Sequence, residues 1–286
     1  MVRRLILGTL AGALLFAAVS GFFAWRFTTP PRRPVGEAPR EFISVYEKVA
    51  FPARDGVTLS GWFVPGGDGK RAVVLLHGNG STRRQMIARA KFFHEHAYAV
   101  LLYDARGHGE SGGNLVSFGW FETRDLLGAI DWLRQRGFTA VGCLGVSQGG
   151  ATIALAGAHL RDLRWAILES TYPTLHNAVD RRFRHTLFLP GWLAGALMIP
   201  FAEWRLHLDV SAISPRDTIA GLRCPVLVMS GERDEHTRIA DAREVYASAH
   251  APKFWWMVPG AAHVDLYGFA PNDYERHLLE FISSLP

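Results

Sequence analysis

The stretch Thr139-Ala140-Val141-Gly142-Cys143-Leu144-Gly145-Val146-Ser147-Gln148-Gly149-Gly150 constrains this chain more than any other. It reads as a short apolar strand running into a serine bracketed by Gly145 and Gly149. The small and apolar residues Ala151 to Ala158 then suit a helix packed tightly on a sheet. A serine on so sharp a strand-to-helix turn is held in a strained conformation, and residues without side chains two positions either side let neighbouring backbone pass closely. Such a turn presents the Ser147 hydroxyl at the carboxyl edge of the sheet. There the free N–H groups and positive dipole end of the next helix face any negative charge that develops. Glycine-rich turns of this kind also serve packing alone, so the rest of the chain has to decide between the two readings.

Apolar runs elsewhere build a sheet around that turn. Arg71 to Leu76 and Tyr98 to Tyr103 are continuous apolar segments, as expected of strands covered on both faces. Trp165 to Glu169, Pro225 to Ser230 and Lys253 to Val258 continue the series. Ile43 to Tyr46 and Val57 to Val64, around Arg54-Asp55-Gly56, read as a hairpin. Helices are expected over Thr82 to Ala97, with Met86, Ile87, Ala90 and Phe93 on one stripe, over Phe121 to Arg136, and over Asp273 to Ser283. Strands alternating with helices predict an α/β protein with a doubly wound, mostly parallel sheet, whose ligands bind beyond the carboxyl ends of the strands. The alternation lapses from about 171 to 215. There the run Leu187 to Pro200 is too short and too proline-interrupted to span a bilayer. It predicts a helical cap over the site, with Leu187, Phe188, Trp192 and Met198 as candidate substrate-binding residues. A helical insertion packed only on itself is the alternative.

Leu5 to Phe27 carries no charge before Arg26, and as a helix its 23 residues would extend about 34 Å, enough to cross a bilayer. The expected organisation is a membrane anchor in 1–28, a Pro/Arg-rich linker in 29–41 standing away from the membrane, and one domain in 42–286. Ala18-Val19-Ser20 offers small residues for signal-peptidase cleavage, but Phe22-Phe23-Ala24-Trp25 prolongs the apolar run, which favours an uncleaved transmembrane helix. The net charge of +5 traces to Arg3, Arg4, Arg26, Arg32, Arg33 and Arg40 against Glu37 alone in the first 40 residues. That pattern fits a juxtamembrane region and not a nucleic-acid surface. Arginines flank both ends of the helix, so charge does not orient it. The pairs Arg83-Arg84 and Arg181-Arg182 read as ordinary solvated charge. Cys143 and Cys224 fall on core strands as small buried hydrophobes, and two cysteines without a His-Glu-x-x-His pattern offer no zinc site. No metal and no cofactor is expected.

A serine hydroxyl needs a base within reach and a carboxylate to orient that base. Both types follow late strands: Gly231-Glu232-Arg233-Asp234-Glu235-His236 after one, and Pro259-Gly260-Ala261-Ala262-His263 after another. Acids Glu232, Asp234 and Glu235 and bases His236 and His263 are thus in play, His236 expected as a solvent-exposed neighbour. The chain order is serine, acid, histidine. His77 and His108 are expected to brace loops, and Asp104 with Arg106 to form a structural pair.

With His77-Gly78-Asn79-Gly80, Asp104-Ala105-Arg106-Gly107-His108-Gly109, the Ser147 elbow, Gly231-Glu232-Arg233-Asp234 and Gly260-Ala261-Ala262-His263, residues 42 to 286 resemble an α/β-hydrolase, and within that fold the membrane-anchored BEM46-like group. The resemblance implies Ser147 as nucleophile, His263 as general base and then acid, and Asp234 as the orienting carboxylate. It also implies an oxyanion hole from the backbone N–H groups of Asn79 and Gln148. Serine at the elbow argues against dehalogenase or dienelactone hydrolase chemistry. An ester or thioester hydrolase with an apolar acyl substrate is the expectation. An amidase or peptidase on the same machinery, or a silent membrane-tethered interaction module, are the alternatives.

Overall fold

The computed structural model describes residues 1–39, 46–187 and 190–285. Eight strands form one sheet: β1 (Glu47–Pro52), β2 (Thr58–Val64), β3 (Arg71–Leu76), β4 (Ala99–Tyr103), β5 (Ala140–Val146), β6 (Trp165–Glu169), β7 (Val226–Gly231) and β8 (Lys253–Val258). Their spatial order is β1-β2-β4-β3-β5-β6-β7-β8. β1 and β2 make an antiparallel hairpin around Arg54-Asp55-Gly56, and β2 pairs antiparallel with β4. All remaining pairs are parallel. Of the strand expected at Ile43 to Tyr46, residues 43–45 lie outside the described residues, Tyr46 is not in a strand, and β1 starts at Glu47.

The helices of more than one turn are α1 (Val2–Thr28), α2 (Ile87–Glu95), α3 (Glu122–Gln135), α4 (Gln148–Leu155), α5 (Leu175–Leu187), α6 (Gly191–Leu206), α7 (Ile239–Ser248) and α8 (Pro271–Ser283). Alternation along each strand divides the core between the two faces of the sheet. On β3, Ala72, Val74 and Leu76 pack under α3, α4 and α7. Val73 and Leu75 pack with α2 and α8, whose residues Tyr274, Leu278 and Phe281 recur at helical spacing. The sheet is therefore covered on both sides, which is why its strands read as unbroken apolar runs.

α5 and α6 occupy the expected insertion, and they do not pack only on each other. Phe183 of α5 and Met198 of α6 form a small apolar cluster with Phe23 and Phe27 of α1. α1 is exposed from its start through Phe16, while Ser20, Ala24 and Thr28, one residue every four, are buried against the cap. Arg205 of α6 donates from Nε to Thr28 Oγ1 (3.0 Å) and from Nη2 to Thr29 Oγ1 (3.1 Å).

Residues 29–39 do not stand clear of the domain as a spacer. Arg32 donates to the carbonyl oxygens of Gly109 (3.1 Å) and Gly113 (2.6 Å), Val35 and Ala38 are buried, and Arg84 donates to the carbonyl oxygens of Val35 (3.0 Å) and Glu37 (2.7 Å). Arg83 is buried too, its Nη1 2.8 Å from Asp104 Oδ2, and so is not solvated. Arg106 binds Asp125 (2.7 Å) and Asp55 (2.8 Å). Asp104 and Arg106 therefore do hold their loop, but each through its own partner and not through one another.

Candidate active site

The turn after β5 has the strain that its sequence calls for. Ser147 has φ +52°, in the left-handed region, and its N–H donates to Glu169 O (2.7 Å) at the end of β6. A Cβ on Gly145 would lie 2.3 Å from the Gly149 carbonyl carbon, and one on Gly149 would lie 2.4 Å from Leu76 O. Those two positions admit no side chain, so the elbow depends on both glycines. Ser147 itself is half-buried at the head of α4, whose first N–H groups have no helical acceptor.

Three further loops converge at the same sheet edge. The one after β3 passes directly against the elbow: a Cβ on Gly78 would be 3.7 Å from Ser147 Cβ. It is braced as expected by two histidines. His77 Nε2 accepts from Ala105 N (3.0 Å) while its Nδ1–H donates to Gly78 O (2.8 Å), and His108 Nε2 accepts from Gly80 N (3.0 Å). After β7, Asp234 is buried; its Oδ1 accepts from the backbone N–H groups of His236 (2.9 Å) and Thr237 (2.7 Å). After β8, His263 Nδ1 donates to Asp234 Oδ2 (2.8 Å), which leaves Nε2 as the free acceptor. Glu232 instead accepts from Gly260 N and Glu235 pairs with Arg238, both exposed, so neither competes for the imidazole.

His236 is half-buried in the pocket, its ring 5.1 Å from that of His263, and is not the exposed neighbour expected. Burial, then the charge of Arg182 and the nearby His263 and His185, push its pKa down to about 4. Without a carboxylate on its ring it is a weaker base than an ordinary imidazole. Burial pushes His77 further, to about 3. Unfolded His77 takes up a proton near pH 6.5. The folded protein refuses that proton until about pH 3, so below pH 6.5 the unfolded state binds more protons and stability falls as pH falls. Melting temperatures at pH 7 and pH 5 should show this acid loss, and His77→Gln should reduce the slope between them.

Ser147, Asn79, Gln148 and His263 line a cavity of about 90 Å³ whose wall also includes Phe27, Phe183 and Met198, which cluster as its apolar part. Ser147 and His263 share this pocket without a direct hydrogen bond, a contact that often tightens only when substrate binds. Met198, one of the four candidates from the cap, lines this cavity. Trp192 does not: it is 73% exposed and borders a separate groove with Asp180, Arg181 and Arg184. Six residues along α6 turn it about 240° away from Met198. The Leu187 side chain and Phe188 lie outside the described residues. Tyr172, Arg182 and Phe27 are pocket residues that sequence reasoning missed. Tyr172 follows closely after β6 and was open to discovery as a strand-end residue, whereas nothing local marks Phe27, which comes from α1.

Residues 67–214 match the family described as serine aminopeptidase, S33. The chain belongs to that family. Among its relatives, the uncharacterized protein YqkD of Bacillus subtilis is 26% identical over 257 residues, 86% of this chain and 82% of that protein. Protein bem46 of Schizosaccharomyces pombe is 25% identical over 207 residues, 69% of this chain and 63% of that protein, in keeping with the BEM46-like resemblance. Among solved structures, esterase Pf2001 of Pyrococcus furiosus superposes with a TM-score of 0.76 at 24% identity, covering 91% of this chain and 98% of that one. The α/β hydrolase GrgF of Penicillium superposes at 0.66 with 20% identity, covering 82% and 97%. At these identities the structures speak to the fold: this family member has the α/β-hydrolase fold, and it is a hydrolase.

Proposed function

We propose that the protein is a serine esterase, acting on carboxylic esters or thioesters with an apolar acyl group and held at a membrane by α1. The observation that carries this reading is the Asp234–His263 bond of 2.8 Å beside Ser147 in one pocket. Ser147 Oγ attacks the acyl carbonyl carbon as His263 Nε2 takes its proton. The oxyanion receives hydrogen bonds from the N–H groups of Asn79 and Gln148. Collapse expels the alcohol or thiol, protonated by His263, and leaves an acyl ester on Ser147. Water, deprotonated by His263, then attacks that ester, and the acid departs as Ser147 recovers its proton.

The family description favours a second reading, an aminopeptidase. A free α-ammonium group calls for an acidic partner, and among the described residues no Asp or Glu lines the cavity, whereas Arg182 does. That lining favours the ester. The test is a series of p-nitrophenyl esters and thioesters of increasing acyl length set beside aminoacyl amides. Expected is a kcat/KM that rises about tenfold or more from acetyl to medium or long chains, as each added methylene gains burial in the apolar part. Aminoacyl amides should be poorer by about 100-fold. An acetyl optimum, or faster amide cleavage, would contradict the reading, and turnover by no Ser147-containing protein would leave the interaction module.

A further inference from the structure

α6 is unusual in being apolar on the face it shows to the outside. Trp192, Ala196, Pro200 and Trp204 are all exposed, and they recur every four residues as one stripe without a polar member. Trp192 and Trp204 are each 73% exposed. The charged residues of the helix are both turned to the protein: Glu203 accepts from Val210 N (3.0 Å), and Arg205 reaches Thr28 and Thr29. A helix apolar all round belongs in a core or in lipid, and an exposed apolar stripe of this length marks a contact surface.

The length of α1 says which contact. Arg4 and Arg26 bracket an uncharged run from Leu5 to Trp25. As helix that run rises about 31 Å, close to the thickness of a bilayer's hydrocarbon core. Only Leu5 to Phe16 is free of the domain on all sides. That part rises about 18 Å, so about 13 Å of the crossing must come from Ala17 to Trp25. Ala17 to Trp25 is the part of α1 packed on the cap, with Ser20 and Ala24 buried and Gly21 against Phe201. If α1 crosses the membrane, α6 cannot stay in water.

We infer that α6 is seated in the leaflet beside α1, so that the α1–α6 pair is one membrane-embedded unit and the apolar part of the catalytic pocket faces lipid. Trp204, beside the Arg205 that reaches Thr28, lies near the Arg26 end of α1, where aromatic rings settle between headgroups and acyl chains, and Trp192, about 18 Å back along the stripe, lies deeper. The inner side of the unit is already the pocket wall, because Phe27 and Met198 border the Ser147 cavity. They also border a small adjoining apolar cavity with Ala24, Ile199, Ala202 and Leu206, between α1 and α6. An acyl chain would thus pass from the leaflet between these helices to the serine, and the substrate class is an acyl ester resident in the bilayer. The substrate class rests on the esterase reading; the seating of α6 does not.

The experiment uses the full-length protein in phosphatidylcholine nanodiscs with nitroxides on cysteines introduced by Ala196→Cys, Trp204→Cys and Asp162→Cys. Asp162 is exposed in the loop leading to β6, at the sheet edge opposite the site, and the native cysteines are both buried. Labels at 196 and 204 should be relaxed by oxygen and shielded at least fivefold from a water-soluble nickel chelate relative to the label at 162. Equal nickel access at all three positions would overturn the seating, as would exclusion of both reagents with dipolar coupling between copies, which would make the stripe a dimer contact. The double variant Ala196→Gln/Trp204→Gln should lose at least tenfold in turnover of a vesicle-embedded long-chain ester and keep its turnover of dispersed p-nitrophenyl acetate. Equal loss on both substrates, or loss on neither, would overturn the bilayer-resident substrate. Depth signals as expected, with no ester turned over by the wild type, would break the esterase reading alone.

Discussion

Ser147→Ala should leave a folded protein that has lost about 10⁵- to 10⁶-fold in ester turnover and no longer reacts with a fluorophosphonate probe. Alanine keeps the backbone demands of the elbow unchanged, so circular dichroism and melting temperature should match the wild type. His263→Ala should fall nearly as far, because a hydroxyl without its base is a poor nucleophile. The combination is the sharper measurement. Residues that act as a unit are not additive, so the Ser147→Ala/His263→Ala double variant should be no slower than either single one within about tenfold. If His263→Ala instead kept turnover within tenfold of the wild type, the base would have to be sought elsewhere. His236, 5.1 Å away ring to ring, would be the first place to look, despite a pKa pushed down to about 4.

That these residues could be singled out before any geometry follows from how the fold presents them. Ser147, Asp234 and His263 each sit on the loop after a strand, and a strand covered on both faces announces itself by its own composition. β3, β6 and β8 accordingly begin and end where their apolar runs do, at Arg71–Leu76, Trp165–Glu169 and Lys253–Val258. Long-range choice of partner left no such local mark. Arg83 reads locally as surface charge, yet Asp104 meets it in the core, and the proline-rich segment reads as a spacer, yet Arg32 lies among the carbonyls of Gly109 and Gly113. The same holds for the cap. A run apolar on every side gives no phase, so only the position of Phe183 and α1 decides that Met198 turns inward and Trp192 outward.

A buried network below the site supplies the second large effect. Arg89 and Glu169 are both fully buried, with Arg89 Nη2 2.7 Å from Glu169 Oε1 and Tyr274 Oη shared between them. Arg89 Nη2 also meets Asp265 Oδ1 at 2.8 Å, two residues beyond His263, and the carbonyl of Glu169 receives the N–H of Ser147. Arg89→Met alone leaves the Glu169 carboxylate in the core without its cation, and Glu169→Gln leaves the guanidinium without its buried anion. Each should cost about 3–5 kcal/mol, a fall of about 10 °C in melting temperature. Arg89→Met/Glu169→Met removes both charges and should recover most of that loss, since apolar groups of similar volume replace a buried pair at little cost. Turnover should not recover with it. Asp265 would still lack the cation that tethers the loop of His263, so kcat should stay at least about tenfold down in the double variant while KM changes little. Recovery of kcat together with melting temperature would reduce the network to a stability element with no part in holding the base.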